Sequence, residues 1–312
     1  MSIIKRRWLI LDLEHRYFYE VCQTRNMTSA AKNLYISEPA LSTAIKKLEQ
    51  KLGLQLFNRQ TNPLTLTDAG QLFLNATNKI RLTEQDFNRQ LQDYKKLKRQ
   101  TLHVGTSQYF NSYYLPSVLK DFYRLYPDVN VSIIERNTQL LKREVKVGNV
   151  DIAIHCGKQD DSLRHWAIQS DKILLAIPKN FISDSEYQQA RAFMVEHKFN
   201  GIPNFLKKLP FITLSPTNDL TMLIDQLCDQ LNFYPHSILE AYQLETAFHM
   251  AFSGLGATFI TKQIKNFFDN TDNLYYLNIS SPVTSREYYA YIRNNAYQSN
   301  YMKQFIRLLK RK

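Results

Sequence analysis

Cysteine is scarce in this 312-residue chain. Cys22, Cys156 and Cys228 are scattered, and no two form a Cys-X-X-Cys pair. Such a set builds neither a disulfide framework nor a thiolate zinc site, and it suits a reducing compartment. The seven histidines fall at no metal-ligand spacing. No apolar run reaches the ~18 residues that a membrane-spanning helix needs, so no membrane partner is expected. The basic start Lys5-Arg6-Arg7 is followed by Asp12 and Glu14 rather than by an apolar stretch, so no secretory signal is read there and a cytoplasmic protein is expected. The Asn-X-Ser matches at Asn130 and Asn278 are accordingly read as chance. Also missing are the patterns GxGxxG, GxxxxGKS/T, HExxH and GxSxG. Neither a cofactor nor a metal is expected, and the chain is not read as an enzyme.

Basic charge, in contrast, is plentiful and uneven. The net charge is +12, from 40 Lys/Arg and 28 Asp/Glu. Residues 1–100 hold 17 basic and 9 acidic residues, a balance of +8, whereas the remainder holds 23 and 19, a balance of +4. A compact basic region is the footprint of a polyanion binder, although charge alone fits a merely soluble surface equally well. The length predicts two or three domains of ~100–200 residues each. The 44% hydrophobic content is enough for ordinary cores.

Residues 28–70 favour the polyanion reading. Before them, Leu13, Tyr17, Val21 and Thr24 recur at near-helical spacing, widened by Phe18 and Cys22. Thr28 is the predicted cap of a second helix reaching Tyr35, in which small Ala30 and Ala31 allow close helix approach. Ser37 is the predicted cap of a third helix, with Pro39 in its first turn where a missing N–H costs nothing. In that helix Leu41, Ile45, Leu48 and Leu52 form one buried face. The other face shows Ser42, Thr43, Lys46 and Lys47, and Gly53 closes it. The pattern is a helix-turn-helix whose third helix suits a DNA major groove, with an ordinary helical hairpin as the alternative.

Residues 54–66 then predict a short two-stranded wing. Its loop carries Asn58, Arg59, Asn62 and Pro63. Arg59 is placed for a phosphate or the minor groove. Thr67 is the predicted cap of a long helix to about residue 99. Within it Ala69, Phe73, Ala76, Ile80, Phe87, Leu91 and Tyr94 keep spacings of three, four or seven. A lone helix cannot bury that stripe, so a partner helix from a second subunit is expected; packing on its own domain is the alternative.

From Thr101 the pattern alternates. Strand-like runs cover residues 102–106, 129–135, 151–155, 172–177, 211–214, 257–261, 274–279 and 288–292. Helical runs cover 110–126, 140–147, 220–231 and 243–252. This alternation predicts a mainly parallel sheet with helices on both faces, and ligands in such sheets bind beyond the carboxyl ends of the strands. Three places stand at such ends: Thr106-Ser107-Gln108, His155-Cys156-Gly157 and Ser215-Pro216-Thr217. Their hydroxyls and free helix N–H groups suit a carboxylate or another anion, although from the residues alone an ordinary helix cap is the favoured reading of each.

Together these residues resemble a LysR-type transcriptional regulator. The likeness spans about residues 11–300. Its most specific carriers are Ala30-Ala31, Leu34, Ser37 to Ser42, Leu48-Glu49, Leu52-Gly53, Leu56-Phe57, Arg59 and Leu66-Thr67-Asp68-Ala69-Gly70. The resemblance implies an all-α winged helix-turn-helix over residues 8–66, a linker and dimerisation helix over 67–99, and an α/β two-lobed effector domain, periplasmic-binding-protein-like, over 100–312. Lobe I would span about 100–171 and 272–312, and lobe II about 172–271. It also implies a homodimer or homotetramer that binds an inverted repeat in promoter double-stranded DNA and bends it, with RNA polymerase as a further partner. On this reading Thr28, Ser29, Ser37, Glu38, Pro39, Ser42, Thr43, Lys46, Lys47 and Arg59 face DNA. Thr106, Ser107, Gln108, His155, Ser215 and Thr217 face a small-molecule effector, expected to be anionic.

Three departures stand out. Glu38 occupies a place usually held by Gln; it repels phosphate and can accept from cytosine N4. Arg25-Asn26-Met27 replaces a common Gly-Ser-Phe, with Asn26 suited to a turn and Met27 to an apolar slot. Thr43 replaces a frequent Arg. In addition, residues 180–209 form a longer segment than is usual, read as an added helix and loop over one lobe or as a partner surface. The competing readings are an enzyme with an accessory basic domain and a cytosolic small-molecule-binding protein with no DNA role. Turnover without duplex binding would favour the first of these, and ligand binding without duplex affinity the second.

Overall fold

The computed structural model describes residues 13–95, 100–157, 160–196, 201–268, 272–279 and 285–310. The chain divides into two compact units, Met1–Leu97 and Lys98–Lys312. No helix among the described residues is long and apolar enough to cross a membrane.

The first unit contains α1 (Leu13–Thr24), α2 (Met27–Leu34), α3 (Glu38–Leu52), a two-stranded ribbon of β1 (Phe57–Asn58) and β2 (Thr65–Leu66), and α4 (Asp68–Tyr94). The ribbon is antiparallel and pairs Phe57 with Leu66. Phe18, Ala30, Ala31, Leu41, Ile45, Leu48 and Phe57 are buried in one core. Ser37 caps α3 by accepting from the Ala40 amide, and Gly53 ends it in a left-handed turn at φ 70°. Two expectations change. The cap of α2 is Asn26, whose side chain accepts from the Ser29 amide, so Thr28 lies inside the helix. Leu52 is 41% exposed, because the helix ends at the next residue and Glu49 takes the inward place.

Gly70 explains the motif that opens α4. A Cβ there would meet the Leu56 carbonyl oxygen at 2.0 Å. Thr67 completes the joint: its hydroxyl donates to the Gln55 carbonyl at 2.6 Å and accepts from the Gly70 amide at 3.0 Å. The described helix runs to Tyr94, and the expected end at residue 99 lies outside the described residues.

In the second unit, β3 (Thr101–Thr106) is flanked in parallel by β4 (Asn130–Glu135) and β5 (Ile152–Cys156). The expectation of a mainly parallel sheet is corrected by β6 (Leu163–Pro178), a 16-residue strand with antiparallel partners along its length. Its first half pairs with β11 (Ser285–Arg293), and its second half with β9 (Thr258–Thr261) and β10 (Leu274–Asn278). One continuous strand therefore crosses from lobe to lobe, and β10 belongs beside lobe II rather than lobe I. A separate parallel pair, β7 (Pro210–Leu214) and β8 (His236–Ala241), completes lobe II. The run expected as one helix over 110–126 is two, α5 (Gln108–Tyr113) and α6 (Leu115–Leu125), broken at Tyr114: Pro116 has no N–H to offer the carbonyl four residues back, and it sits instead in the first turn of α6, where none is needed.

The remaining helices are α7 (Thr138–Lys146), α8 (Asp184–Glu196), α9 (Thr221–Gln230), α10 (Leu244–Phe252), α11 (Lys262–Phe267) and α12 (Asn300–Leu309). The long segment 180–209 supplies α8, which lies over β10: Tyr187 stacks on Tyr275 and donates to the Tyr276 carbonyl at 2.9 Å.

Candidate nucleic-acid interface and ligand cleft

The exposed side of the helix-turn-helix gathers the residues expected there. Thr28, Ser29, Ser37, Glu38, Pro39, Thr43, Lys46 and Lys47 are exposed and Ser42 is half-buried. Two of them meet: the Thr28 hydroxyl donates to the Glu38 carboxylate at 2.6 Å. This contact joins α2 to the first turn of α3 and orients the carboxylate. The Thr43 hydroxyl donates to the Pro39 carbonyl one turn back at 2.8 Å, so the hydroxyl proton is committed within the helix. The turn between the helices holds Tyr35, exposed and in a left-handed conformation at φ 59°. Tyr35 was not among the expected contacts, and nothing in its neighbours marks a non-glycine residue for that conformation.

Arg59 is set by a buried carboxylate. Glu49 accepts from the Leu56 and Phe57 amides at 2.8 and 3.3 Å through one oxygen, and from the Arg59 guanidinium at 2.7 Å through the other. The Arg59 side chain keeps 38% exposure, so it braces the ribbon from within and still presents positive charge outward.

Along α4, Thr77, Arg81 and Glu84 turn inward, while Ile80, Phe87 and Tyr94, spaced by seven, are exposed. The inward side is held by His15, which stacks on Phe73 and hydrogen-bonds Thr77. The outer apolar stripe is therefore unburied within one chain.

In the second unit a cleft of about 250 Å³ opens at the carboxyl ends of β3, β4, β7 and β8. Ser107 and Gln108 follow β3, Arg136 and Asn137 follow β4, Thr217 follows β7, and Gln243 to Glu245 follow β8. Of the six expected contacts, Ser107, Gln108 and Thr217 line it. Thr106, His155 and Ser215 do not. Thr106 is fully buried in β3. His155 is buried and stacks on Tyr291 at 4.1 Å, with burial pushing its pKa down from 6.5 to about 4. Ser215 is half-buried, with its hydroxyl 3.2 Å from that of Thr217.

The residue missed by sequence reasoning is Arg286. It reaches the cleft from β11, is only 6% exposed, and lies over the rings of Tyr109 and Tyr288 at 5.7 and 5.4 Å. The signal was strand alternation: Arg286 shares a face with Tyr288, Ala290 and Ile292, all buried. No group of His, Cys, Asp and Glu side chains among the described residues is arranged to hold a metal ion.

These two surfaces have counterparts in known proteins. Residues 14–71 match the model of the bacterial regulatory helix-turn-helix protein, lysR family, and residues 95–312 that of the LysR substrate binding domain. A "Probable RuBisCO transcriptional regulator" of Trieres chinensis is 30% identical over 253 residues, 79% of each chain. The HTH-type transcriptional regulator YcgK of Bacillus subtilis is 26% identical over 287 residues, 89% of this chain and 87% of its own. Among solved structures, full-length CbnR complexed with its target DNA superposes with a TM-score of 0.60 at 17% identity, covering 96% of this chain and 98% of that one.

Proposed function

The chain belongs to the LysR family of transcriptional regulators, and from that premise we propose that a small molecule held in the cleft of the second unit alters how the first unit engages and bends promoter DNA. The observation that carries this reading is the pairing of an exposed recognition helix with a ligand-sized cleft at the ends of the strands. Lys46, Lys47 and Arg59 supply phosphate contacts and hence salt-dependent affinity. Glu38 and Thr43 supply choice: the carboxylate accepts from cytosine N4, and the threonine methyl suits thymine.

The exposed stripe on α4 would be covered by the same stripe of a second copy. A symmetric dimer would then bring two recognition helices to one face of the duplex, so its site is an inverted repeat. Closure of the two lobes around an effector would shift the geometry of the assembly and the DNA bend, provided the effector favours the closed state. RNA polymerase is the further partner expected of such a regulator.

Nuclease footprinting across the DNA upstream of the chain's own gene tests the proposal. Two protected half-sites, separated by about 10–10.5 base pairs or a multiple, are expected. Uniform protection with no half-site pattern would contradict it.

A further inference from the structure

Two charged groups on the cleft walls each keep a buried polar atom without a hydrogen bond. Arg286 is a buried cation whose Nε atom forms no hydrogen bond. The natural counter-ion, Asp171 on the adjacent strand, is already occupied. Its oxygens accept from the Tyr109 and Tyr114 hydroxyls and from the Lys172 and Gln263 amides. No carboxylate among the described residues pairs with Arg286. A buried charge left in this state is costly, so the guanidinium is poised for an anionic group, which it can hold through two parallel hydrogen bonds.

Glu245, in the first turn of α10, is the second group. Its Oε1 atom is buried and forms no hydrogen bond. Burial pushes its carboxyl pKa up, and a nearby cation would reverse that. The other two carboxylates on the walls are engaged: Glu135 accepts from the Asn111 amide at 2.6 Å and Asp219 from the Thr138 hydroxyl at 2.8 Å. Three carboxylates thus face two guanidiniums, those of Arg136 and Arg286, around one small space. A dianion or inorganic phosphate would meet walls of net negative charge. A ligand with one negative and one positive end complements both groups.

We infer that the cleft takes a small zwitterionic amino acid, its carboxylate on Arg286 and its ammonium on Glu245. This inference rests on the reading of the cleft as the effector site. It narrows the effector from an anion to a molecule carrying both charges, and the cleft of about 250 Å³ limits it to a small metabolite.

The test is thermal melting of the full chain with three probe pools: the twenty proteinogenic L-amino acids, the matching 2-hydroxy acids, and the matching decarboxylated amines. Only the amino-acid pool should raise the melting temperature. With the active member isolated, Glu245→Gln should weaken its binding about tenfold or more and narrow the preference over its 2-hydroxy analogue. Arg286→Lys, with its fold checked by circular dichroism, should abolish the shift at the same concentration, since a point charge does not replace a planar fork. Equal binding of the 2-hydroxy acids to the wild-type chain would overturn the zwitterion while leaving the cleft an effector site. A shift that survives both variants would place the amino acid elsewhere and overturn the assignment. No shift from any pool would remove the effector reading of the cleft along with it.

Discussion

Glu49 organises the wing from beneath its surface. One oxygen fixes two ribbon amides and the other fixes Arg59, so a buried carboxylate determines where an outward positive charge stands. Arg59→Ala is expected to weaken binding to matched and scrambled duplexes alike, and to lower the slope of log K against log salt by about one. An unchanged slope in a salt titration would leave Arg59 with the internal role alone. Gly70 is constrained more severely, because its missing Cβ makes room for the Leu56 carbonyl. Gly70→Ala should cost ~1–3 kcal/mol, read as a lower denaturation midpoint, since the clashing atom is backbone and cannot rotate away; an unshifted midpoint would contradict that packing. His155 gives a pH signature. Its folded pKa of about 4 lies below the ordinary 6.5, so the unfolded chain takes up a proton first as pH falls. Its contribution is therefore complete above pH 6.5 and is lost between about 6.5 and 4, amounting to about 3 kcal/mol. His155→Phe, which keeps a ring against Tyr291, should flatten the fall in melting temperature across that window; an equally steep fall in the variant would show that other groups carry it.

At the scale of elements, the helices of the first unit were the readily legible part. In α3 a cap, a first-turn proline, a periodic apolar face and a closing glycine all agreed, and the structure departs only at its last residue. In α4 the stripe was legible, but the sequence did not show which side was filled internally. Thr77, Arg81 and Glu84 turn inward because α1 supplies His15 and Tyr19 as partners, and this leaves Ile80, Phe87 and Tyr94 outside. Phe87→Lys should shift the full chain toward a smaller species in sedimentation equilibrium and weaken its hold on an inverted repeat; an unaltered mass would assign dimerisation to another surface. The strands were less legible. The first half of β6, Leu163 to Asp171, mixes charged, polar and apolar residues, and its identity depends on β11, more than 110 positions later in the sequence. The strand β8 is largely exposed and offers no apolar run to read. At the cleft, hydroxyls beside strand ends were legible as caps, and Ser107 does cap α5. Arg286 was not recognised because a lone arginine near the start of a strand reads as solvated until its neighbours on both sides are known.

For the whole molecule, the division of charge mirrors the division of labour. The basic excess lies mainly in residues 1–100, which carry the helix-turn-helix, and the second unit places mixed charge around a small cleft. A regulator of this design needs the first unit to recognise sequence, since nonspecific attraction to phosphates alone would spread it over any DNA. Fluorescence-anisotropy binding of the full chain to a duplex from upstream of its own gene, against a scrambled duplex of equal length, measured at two salt concentrations, tests this most directly. The account predicts that both affinities fall as salt rises, and that the preference for the native duplex persists. Equal affinities that decline together with salt would contradict it, leaving the exposed face of α3 a surface for phosphates alone.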